Sequence, residues 1–142
     1  MTDLKQPIIE FVNSNKVASV CFSYGNHEPY CITCFYSFCE KEKILIFKSS
    51  TGTKHDAFII HKNFAAGTII SNQIEITKLR GLQFTGIILT ENELTALNLQ
   101  NTYYKKNPMA RLMPGYLWGV ELNFIKFTDN TLGFGKKEIW TK

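Results

Sequence analysis

The chain has 142 residues and a mass of 16.3 kDa, and 44% of its residues are hydrophobic, 13% aromatic and 20% charged. A domain of this length buries roughly two-thirds of its surface, so it needs no disulfide or metal to fold. The apolar and aromatic content excludes a disordered chain, and no apolar run approaches the roughly 20 residues of a membrane span. We therefore expect one cytoplasmic domain over residues 1–142, without a secretory signal.

The net charge of +4 comes from 16 basic and 12 acidic residues. Only two of the basic residues are arginines, Arg80 and Arg111, and the lysines are spread along the chain. Nucleic-acid-binding surfaces concentrate arginine and lysine on one face or in one stripe. We therefore expect no nucleic-acid partner and no membrane partner.

The four cysteines, Cys21, Cys31, Cys34 and Cys39, all fall in one third of the chain. Cys31 and Cys34 have the spacing of half a zinc ribbon, but no second pair follows. In an extended strand, residues three apart face opposite sides, which separates these two thiols. His27 is close enough in sequence to be a further ligand, but the spacing of the cysteines does not support a metal site, and we predict none. We expect reduced thiols in a cytosolic fold.

The N-terminal half predicts one helix followed by three strands. The first apolar residues recur at helical spacing, with Asp3 as the expected cap and Pro7 near the helix start. Two segments rich in β-branched and aromatic residues, Val17–Tyr24 and 30–39, flank a loop of polar and turn-forming residues. They predict a β-hairpin, and the apolar segment 43–48 predicts a third strand.

The rest of the chain alternates further strands and helices. We predict helices at 53–63 and 91–106, a helical turn carrying Arg111, and strands at 66–71, 82–89, 116–127 and 134–140. Six or seven strands with many short connections, together with three or four helices, indicate an α+β domain. Its sheet is expected to be mainly antiparallel and to curl into a barrel.

Residues 47–56 join a predicted strand to a predicted helix, and their composition indicates an anion site. Thr53 lies three residues before Asp56, the spacing of a capping box, so the helix is expected to begin there. Helix starts favour anions through free N–H groups and the helix dipole. Lys48, Lys54, four hydroxyls and a glycine surround this start and could hold a phosphate monoester. An ordinary capped turn with solvated lysines remains open, and the spacing is not that of a Walker loop.

Several stretches carry a resemblance to a known family. They are Tyr-Cys-Ile-Thr-Cys-Phe-Tyr-Ser-Phe from residue 30, Ile-Leu-Ile-Phe from 44, Thr-Lys-His from 53, Leu-Arg-Gly-Leu-Gln-Phe-Thr-Gly from 79 and Ile-Lys-Phe-Thr-Asp-Asn-Thr-Leu-Gly-Phe-Gly-Lys-Lys-Glu-Ile-Trp from 125. Together they run over nearly the whole chain and resemble the small YhbP family. That family is an uncharacterised branch of the pyridoxamine-phosphate-oxidase-like, FMN-binding split barrels.

The resemblance implies a six-stranded antiparallel split barrel with three to four flanking helices. It also implies a homodimer with FMN held in clefts at the subunit interface. The implied FMN contacts are Lys48, Ser49, Ser50, Thr53 and Lys54 at the phosphate, Thr33, Cys34, Phe35 and Gln83 at the flavin ring, and Arg111 and Trp118 from the partner subunit.

Three departures from the oxidases of that superfamily shape the expected function. Ile32 and Thr53 stand where those enzymes usually place arginines, and their C-terminal Arg/His motif has no counterpart. We therefore expect an FMN-dependent oxidoreductase with a substrate other than pyridoxamine phosphate, and no catalytic residue is assigned. One alternative is a non-catalytic protein that binds flavin, haem or a phosphorylated ligand in the same cleft, with His27, His55 or His61 as an axial haem ligand. Another is a dimeric interaction module with a vestigial site.

Overall fold

The computed structural model describes residues 2–24, 28–50, 64–72 and 75–142. Its strands are β1 (Val17–Tyr24), β2 (Glu28–Cys39), β3 (Ile44–Ser49), β4 (Phe64–Ile70), β5 (Arg80–Leu89), β6 (Tyr116–Asp129) and β7 (Lys137–Thr141). Its helices are α1 (Gln6–Ser14), α2 (Glu91–Ala96) and α3 (Gln100–Lys106), with 3-10 turns at Pro108–Leu112 and Asn130–Leu132.

The strands form one antiparallel sheet in the order β3-β2-β1-β4-β5-β6-β7, and β3 also pairs with β6. This second pairing closes six strands into a barrel, and β7 extends the sheet beyond β6. The predicted antiparallel split barrel with flanking helices is therefore confirmed. Within the described ranges, no helix is long and apolar enough to cross a membrane.

Alternate residues of the strands fill the barrel with apolar side chains. Phe47 and Trp118 stack with ring centres 4.5 Å apart, and Phe22 meets the Trp118 ring edge-on at 5.2 Å. Helix α1 covers one part of this core, where Phe11 lies 5.0 Å from Phe127 between ring centres. Aromatic side chains bury large areas, and such packed pairs add to the stability of the core.

A β-bulge divides the 14-residue strand β6. Thr85 of β5 is opposite Phe124 and Gly86 is opposite Leu122, so Asn123 is the extra residue. A bulge bends its strand and changes which residues face inward. The buried core residues of β6 accordingly change parity at the bulge, being Trp118, Val120 and Leu122 before it and Ile125 and Phe127 after it.

A second, smaller core lies outside the barrel, where α2 and α3 cover the outer side of β3 and the start of β6. It consists of Ile44, Ile46, Leu89, Leu94, Leu99, Tyr103 and Leu117. Because the helices bury this flank, the outer side of β3 is apolar up to Lys48. We call this surface the helix-covered flank.

The single helix predicted over residues 91–106 is wrong, because the chain forms two helices there. Helix α2 ends in a Schellman motif: Leu99 N–H donates to the Leu94 carbonyl and Asn98 N–H to that of Thr95, both at 3.0 Å. Asn98 has φ +57°, a left-handed conformation that asparagine tolerates. Leu97, predicted on the apolar stripe, is consequently 45% exposed.

Both chain ends also differ from their predictions. Asp3 does not cap α1, which begins at Gln6 with Lys5 in the cap position; instead Asp3 forms a 3.9 Å ion pair with Lys43. The predicted strand 134–140 begins later, at β7, because two glycines with positive φ lie in the turn before it. The predicted helix 53–63 lies outside the described residues.

Candidate functional site

A cleft of about 220 Å³ opens between the middle of β2, the end of β3 and the segment that leads from α3 to β6. Its lining consists of Thr33, Cys34, Phe35, Lys48, Ser49, Ser50, Tyr103, Ala110, Met113 and Pro114. The first six are residues that the family resemblance assigned to FMN. The fold thus brings these six together in what we call the β2–β3 cleft.

Lys48 is held in place at the wall of this cleft. Its Nζ donates a hydrogen bond of 2.9 Å to the Tyr104 hydroxyl and one of 2.6 Å to the Ala110 carbonyl. A lysine ammonium has three N–H donors, so these two contacts leave one donor over. No lining residue is acidic. The described lining is therefore positively charged and suits an anionic group.

Arg111 adds a second cation beside the cleft without lining it. Its guanidinium carbon lies 4.6 Å from the centre of the Tyr104 ring, the ring whose hydroxyl binds Lys48. This distance is that of a cation–π contact. Arg111 itself is exposed, and its predicted contact with a partner's cofactor stays a prediction.

Two neutral proton donors, Cys34 and Tyr103, complete the polar lining. Burial, with a smaller contribution from Cys31, raises the pKa of the Cys34 thiol to about 12. Burial likewise raises the pKa of Tyr103 to about 12, with smaller contributions from Cys34 and Tyr104. Burial disfavours the charged thiolate and phenolate. Both groups therefore keep their protons at neutral pH, and Lys48 provides the charge of the described lining.

Ser49 connects the cleft to the barrel core. Its hydroxyl accepts a 2.6 Å hydrogen bond from Nε1 of Trp118, and both side chains are buried. Trp118 faces inward and has no exposed surface, which leaves its indole no contact with a partner subunit or a ligand outside the barrel. The assignment of Trp118 to a cofactor contact is thus corrected to a role in the core. Gly115, with φ +141°, lets the chain entering β6 pass against the Ser49 carbonyl.

Gln83 lies elsewhere on the barrel, on the outer side of β5. It is opposite Thr68 of β4 and Lys126 of β6 and lines two shallow clefts with Thr68. The described residue contacts do not bring it to the β2–β3 cleft. Its proposed contact with a flavin would therefore need a second copy of the chain.

Gln83 lies on an outer surface formed by β1, β2, β4 and β5, whose described outward-facing residues are uncharged; Lys126 of β6 borders this surface beside Gln83. Its residues include Val17, Ser19, Cys21, Ser23, Pro29, Cys31, Thr33, Phe35, Phe64, Ala66, Thr68, Ile70, Gly81, Gln83, Thr85 and Ile87. Several are large and apolar, including Phe35 at 60% and Ile70 at 62% exposure. No helix covers this surface among the described residues. We call it the uncharged face.

Several predicted residues lie outside the described ranges, namely Thr53, Lys54 and the histidines His27, His55 and His61. Cys31 and Cys34 lie on opposite sides of β2, as the strand period predicts, since Cys31 is exposed and Cys34 packs against the core. In the part of the chain that the structure describes, no three His, Cys, Asp or Glu side chains come together as metal ligands.

The sequence analysis did not assign to the site four residues that line the cleft, or Tyr104, which binds Lys48 beside it; the four lining residues are Tyr103, Ala110, Met113 and Pro114. Tyr104 was expected on the apolar side of a long helix, whereas its hydroxyl binds Lys48. A usable signal was present, because two adjacent tyrosines directly precede the proline-flanked turn that carries Arg111. Aromatic rings with a polar tip often occur where an apolar surface meets a polar one.

Comparison with known proteins identifies the family. No family model matches the chain. It is 31% identical over 143 residues to a UPF0306 protein of Serratia proteamaculans, an alignment that covers 99% of this chain and 97% of that one. It is 34% identical over 115 residues to the UPF0306 protein YhbP of Salmonella schwarzengrund, which covers 81% and 78% of the two chains.

Solved structures show the same fold at low sequence identity. A pyridoxamine 5'-phosphate oxidase-related, FMN-binding protein from Nostoc punctiforme has a TM-score of 0.70 at 11% identity, with 96% of this chain and 90% of that chain covered. A haem-binding protein from Mycobacterium smegmatis has a TM-score of 0.72 at 13% identity, and this chain, 99% covered, spans 60% of its length. The chain belongs to the UPF0306 family, and its fold is the split barrel of the pyridoxamine-5'-phosphate-oxidase-like proteins.

Proposed function

We propose that this protein is an FMN-binding oxidoreductase that holds the cofactor in the β2–β3 cleft at a homodimer interface. The proposal rests chiefly on one observation: Lys48 is fixed in a cleft free of acidic lining residues and surrounded by hydroxyl and aromatic side chains. A phosphate monoester is the anionic part of FMN, and a fixed ammonium is a natural partner for it.

The cleft lining fits both chemical parts of FMN. Lys48 and Ser50 supply polar groups for the phosphate, and Lys54 and Thr53, outside the described residues, are proposed to complete that contact. Phe35 is 60% exposed at the rim and offers an aromatic surface to a planar ring. Thr33 and Cys34 add polar groups beside it.

The size of the cleft supports a site shared by two subunits. Sites that bury most of a drug-sized ligand occupy roughly 300–1,000 Å³, whereas this cleft measures about 220 Å³. One chain would therefore cover only part of FMN. The uncharged face is proposed to supply the rest from a second copy, because it combines exposed apolar residues with a lack of charges that would repel an identical face. Gln83 of that copy would then contact the ring.

When bound, FMN supplies hydride or electron transfer, and the protein contributes binding, orientation and electrostatics. In this chain Lys48 would hold the negatively charged end, while Phe35 and the partner's uncharged face would keep water from the ring. Ile32 packs towards the barrel core and carries no charge. The C-terminal Arg/His motif of the oxidases has no counterpart in this chain, which argues against pyridoxamine phosphate as the substrate.

Haem is the competing ligand, since a structural neighbour binds it. The axial haem ligands expected from the sequence, His27, His55 or His61, lie outside the described residues. Haem is therefore the alternative that the test must separate from FMN.

The test is a fluorescence titration of purified protein with FMN, preceded by an absorbance spectrum after gel filtration with added FMN. Flavin absorbance should elute with the protein, and Lys48→Met should weaken FMN binding about 10- to 100-fold. This corresponds to the roughly 1.5–3 kcal/mol of a hydrogen bond to a charged group. Lys41→Met is the matched control. Lys41 is exposed in the turn before β3, so this substitution removes the same charge far from the cleft.

Three results would contradict the proposal. Failure to retain FMN would remove flavin as the ligand, and equal affinities of the Lys48 and Lys41 variants would move the site away from this cleft. A Soret band after addition of haem, without flavin binding, would establish the competing function.

A further inference from the structure

Two cysteines on the uncharged face are direct neighbours across the β1–β2 hairpin. Cys21 of β1 is the register partner of Cys31 of β2. Both belong to the outward-facing set, with Cys31 exposed and Cys21 half-buried. Neither is part of the β2–β3 cleft, and no step of the proposed flavin chemistry uses them.

The hydrogen-bond pattern of the hairpin decides how close the two residues are. The Tyr36 N–H donates to the Lys16 carbonyl at 2.9 Å, which marks a hydrogen-bonded pair. Such pairs alternate with non-hydrogen-bonded pairs along an antiparallel ladder, and the register runs without a shift from this pair to the end of the hairpin. The Cys21–Cys31 pair is separated from the Lys16–Tyr36 pair by an odd number of residue positions along each strand. Because the two pair types alternate, Cys21 and Cys31 form a non-hydrogen-bonded pair.

That type of pair permits a disulfide. Its Cα atoms are roughly 4.5 Å apart and its side chains approach more closely than in the other type. Disulfides form across Cα separations of roughly 4.4–6.8 Å. Interaction with the Cys31 thiol, together with burial, raises the pKa of Cys21 to about 11, as expected for two adjacent thiols.

We propose that Cys21 and Cys31 are a dithiol site that low-molecular-weight disulfides oxidise to a reversible intramolecular disulfide. The exposed Cys31 thiolate attacks one sulfur of oxidised glutathione, forms a mixed disulfide and releases one glutathione. The Cys21 sulfur then attacks the Cys31 sulfur, forms the protein disulfide and releases the second glutathione. The two thiol protons end on the two glutathione molecules, whose disulfide takes up the two electrons.

The other two cysteines do not compete for this bond. Cys34 faces the opposite side of β2, and its thiol stays protonated because burial raises its pKa to about 12. Cys39 lies at the far end of β2, opposite Ile44 of β3. Exposed disulfides are more easily reduced than buried structural ones, so the Cys21–Cys31 bond should also reopen with reduced glutathione.

The test treats the reduced full chain with oxidised glutathione and follows intact mass and a non-reducing peptide map. We expect the mass to fall by two hydrogen atoms, the map to link Cys21 to Cys31, and reduced glutathione to reverse both changes. C39S should behave like the unaltered chain. In C21S the two-hydrogen loss should disappear, and a glutathione adduct should remain on Cys31.

A map that links any other pair, or adducts on separate cysteines without an internal bond, would overturn the proposal. The peptide map of the unaltered chain decides this even where C21S does not fold. Neither thiol lines the β2–β3 cleft, but both lie on the uncharged face that the proposed dimer covers. The treatment is therefore made on dilute single chains without added FMN, so that its outcome does not depend on the proposed function.

Discussion

The two outer surfaces of this barrel consist of similar strands, but helices cover only one of them. On the helix-covered flank, α2 and α3 bury apolar residues of β3 and β6 and form a second core. On the uncharged face, residues of comparable hydrophobicity such as Phe35 and Ile70 are left exposed. The described chain thus covers one outer surface with its own helices and leaves the other exposed.

This difference separates two ways of building a site. The helix-covered flank fixes individual side chains, as when Tyr104 and Ala110 hold the Lys48 ammonium. The uncharged face fixes only the backbone register, and its side chains have few described polar contacts. A ligand held between both surfaces would take its charge recognition from the first and its shielding from water from the second.

The largest effect is expected from the core of the helix-covered flank. Leu94→Ala should lower the free energy of unfolding by about 2–5 kcal/mol, because Leu94 is fully buried and its truncation leaves a cavity. Leu97→Ala, on the same helix but at a side chain that is 45% exposed, should cost less than about 1 kcal/mol. Urea denaturation of both variants measures the difference, and equal losses would show that α2 does not seal this flank.

A smaller effect is expected where the flank holds its cation. Tyr104→Phe removes the hydroxyl that accepts from Lys48 and should lower the free energy of unfolding by about 0.5–1.5 kcal/mol. In the Lys48→Met background the same change should cost almost nothing, because the partner is already gone. A urea-denaturation double-mutant cycle measures this coupling, and additive losses would mean that the hydrogen bond contributes no stability.

The smallest effect on the fold, with a large one on assembly, is expected on the uncharged face. Thr68→Lys places a charge at the centre of this face and should convert the proposed dimer to a single chain, because an unpaired charge is costly to bury in an interface. Circular dichroism should stay unchanged. Thr95→Lys, on α2, adds the same charge to an exposed position of the other surface and should stay dimeric. Sedimentation velocity gives both masses; identical masses would contradict the proposed interface.

Strand positions followed well from the sequence because alternation of apolar residues records burial on one side. The core residues of β1 and β5 could be read in this way. The break between α2 and α3 could not, since a helical stripe over residues 91–106 looked continuous, and the left-handed Asn98 becomes informative only once Leu99 is seen to replace Leu97 in the core. The change at Asn123 in which residues of β6 face inward could not be predicted either. A β-bulge is defined by the pairing with the neighbouring strand, which the local sequence does not show.

By itself, the sequence determined the strand-rich barrel, the family and most residues of the cleft, because each is recorded in local patterns or motifs. Tertiary structure alone decided that Trp118 is a core residue, that Tyr104 holds Lys48, that Gln83 lies on a different surface and that Cys21 meets Cys31. These facts depend on which strands pair and in which register. Register is set by the closure of the whole barrel rather than by neighbouring residues.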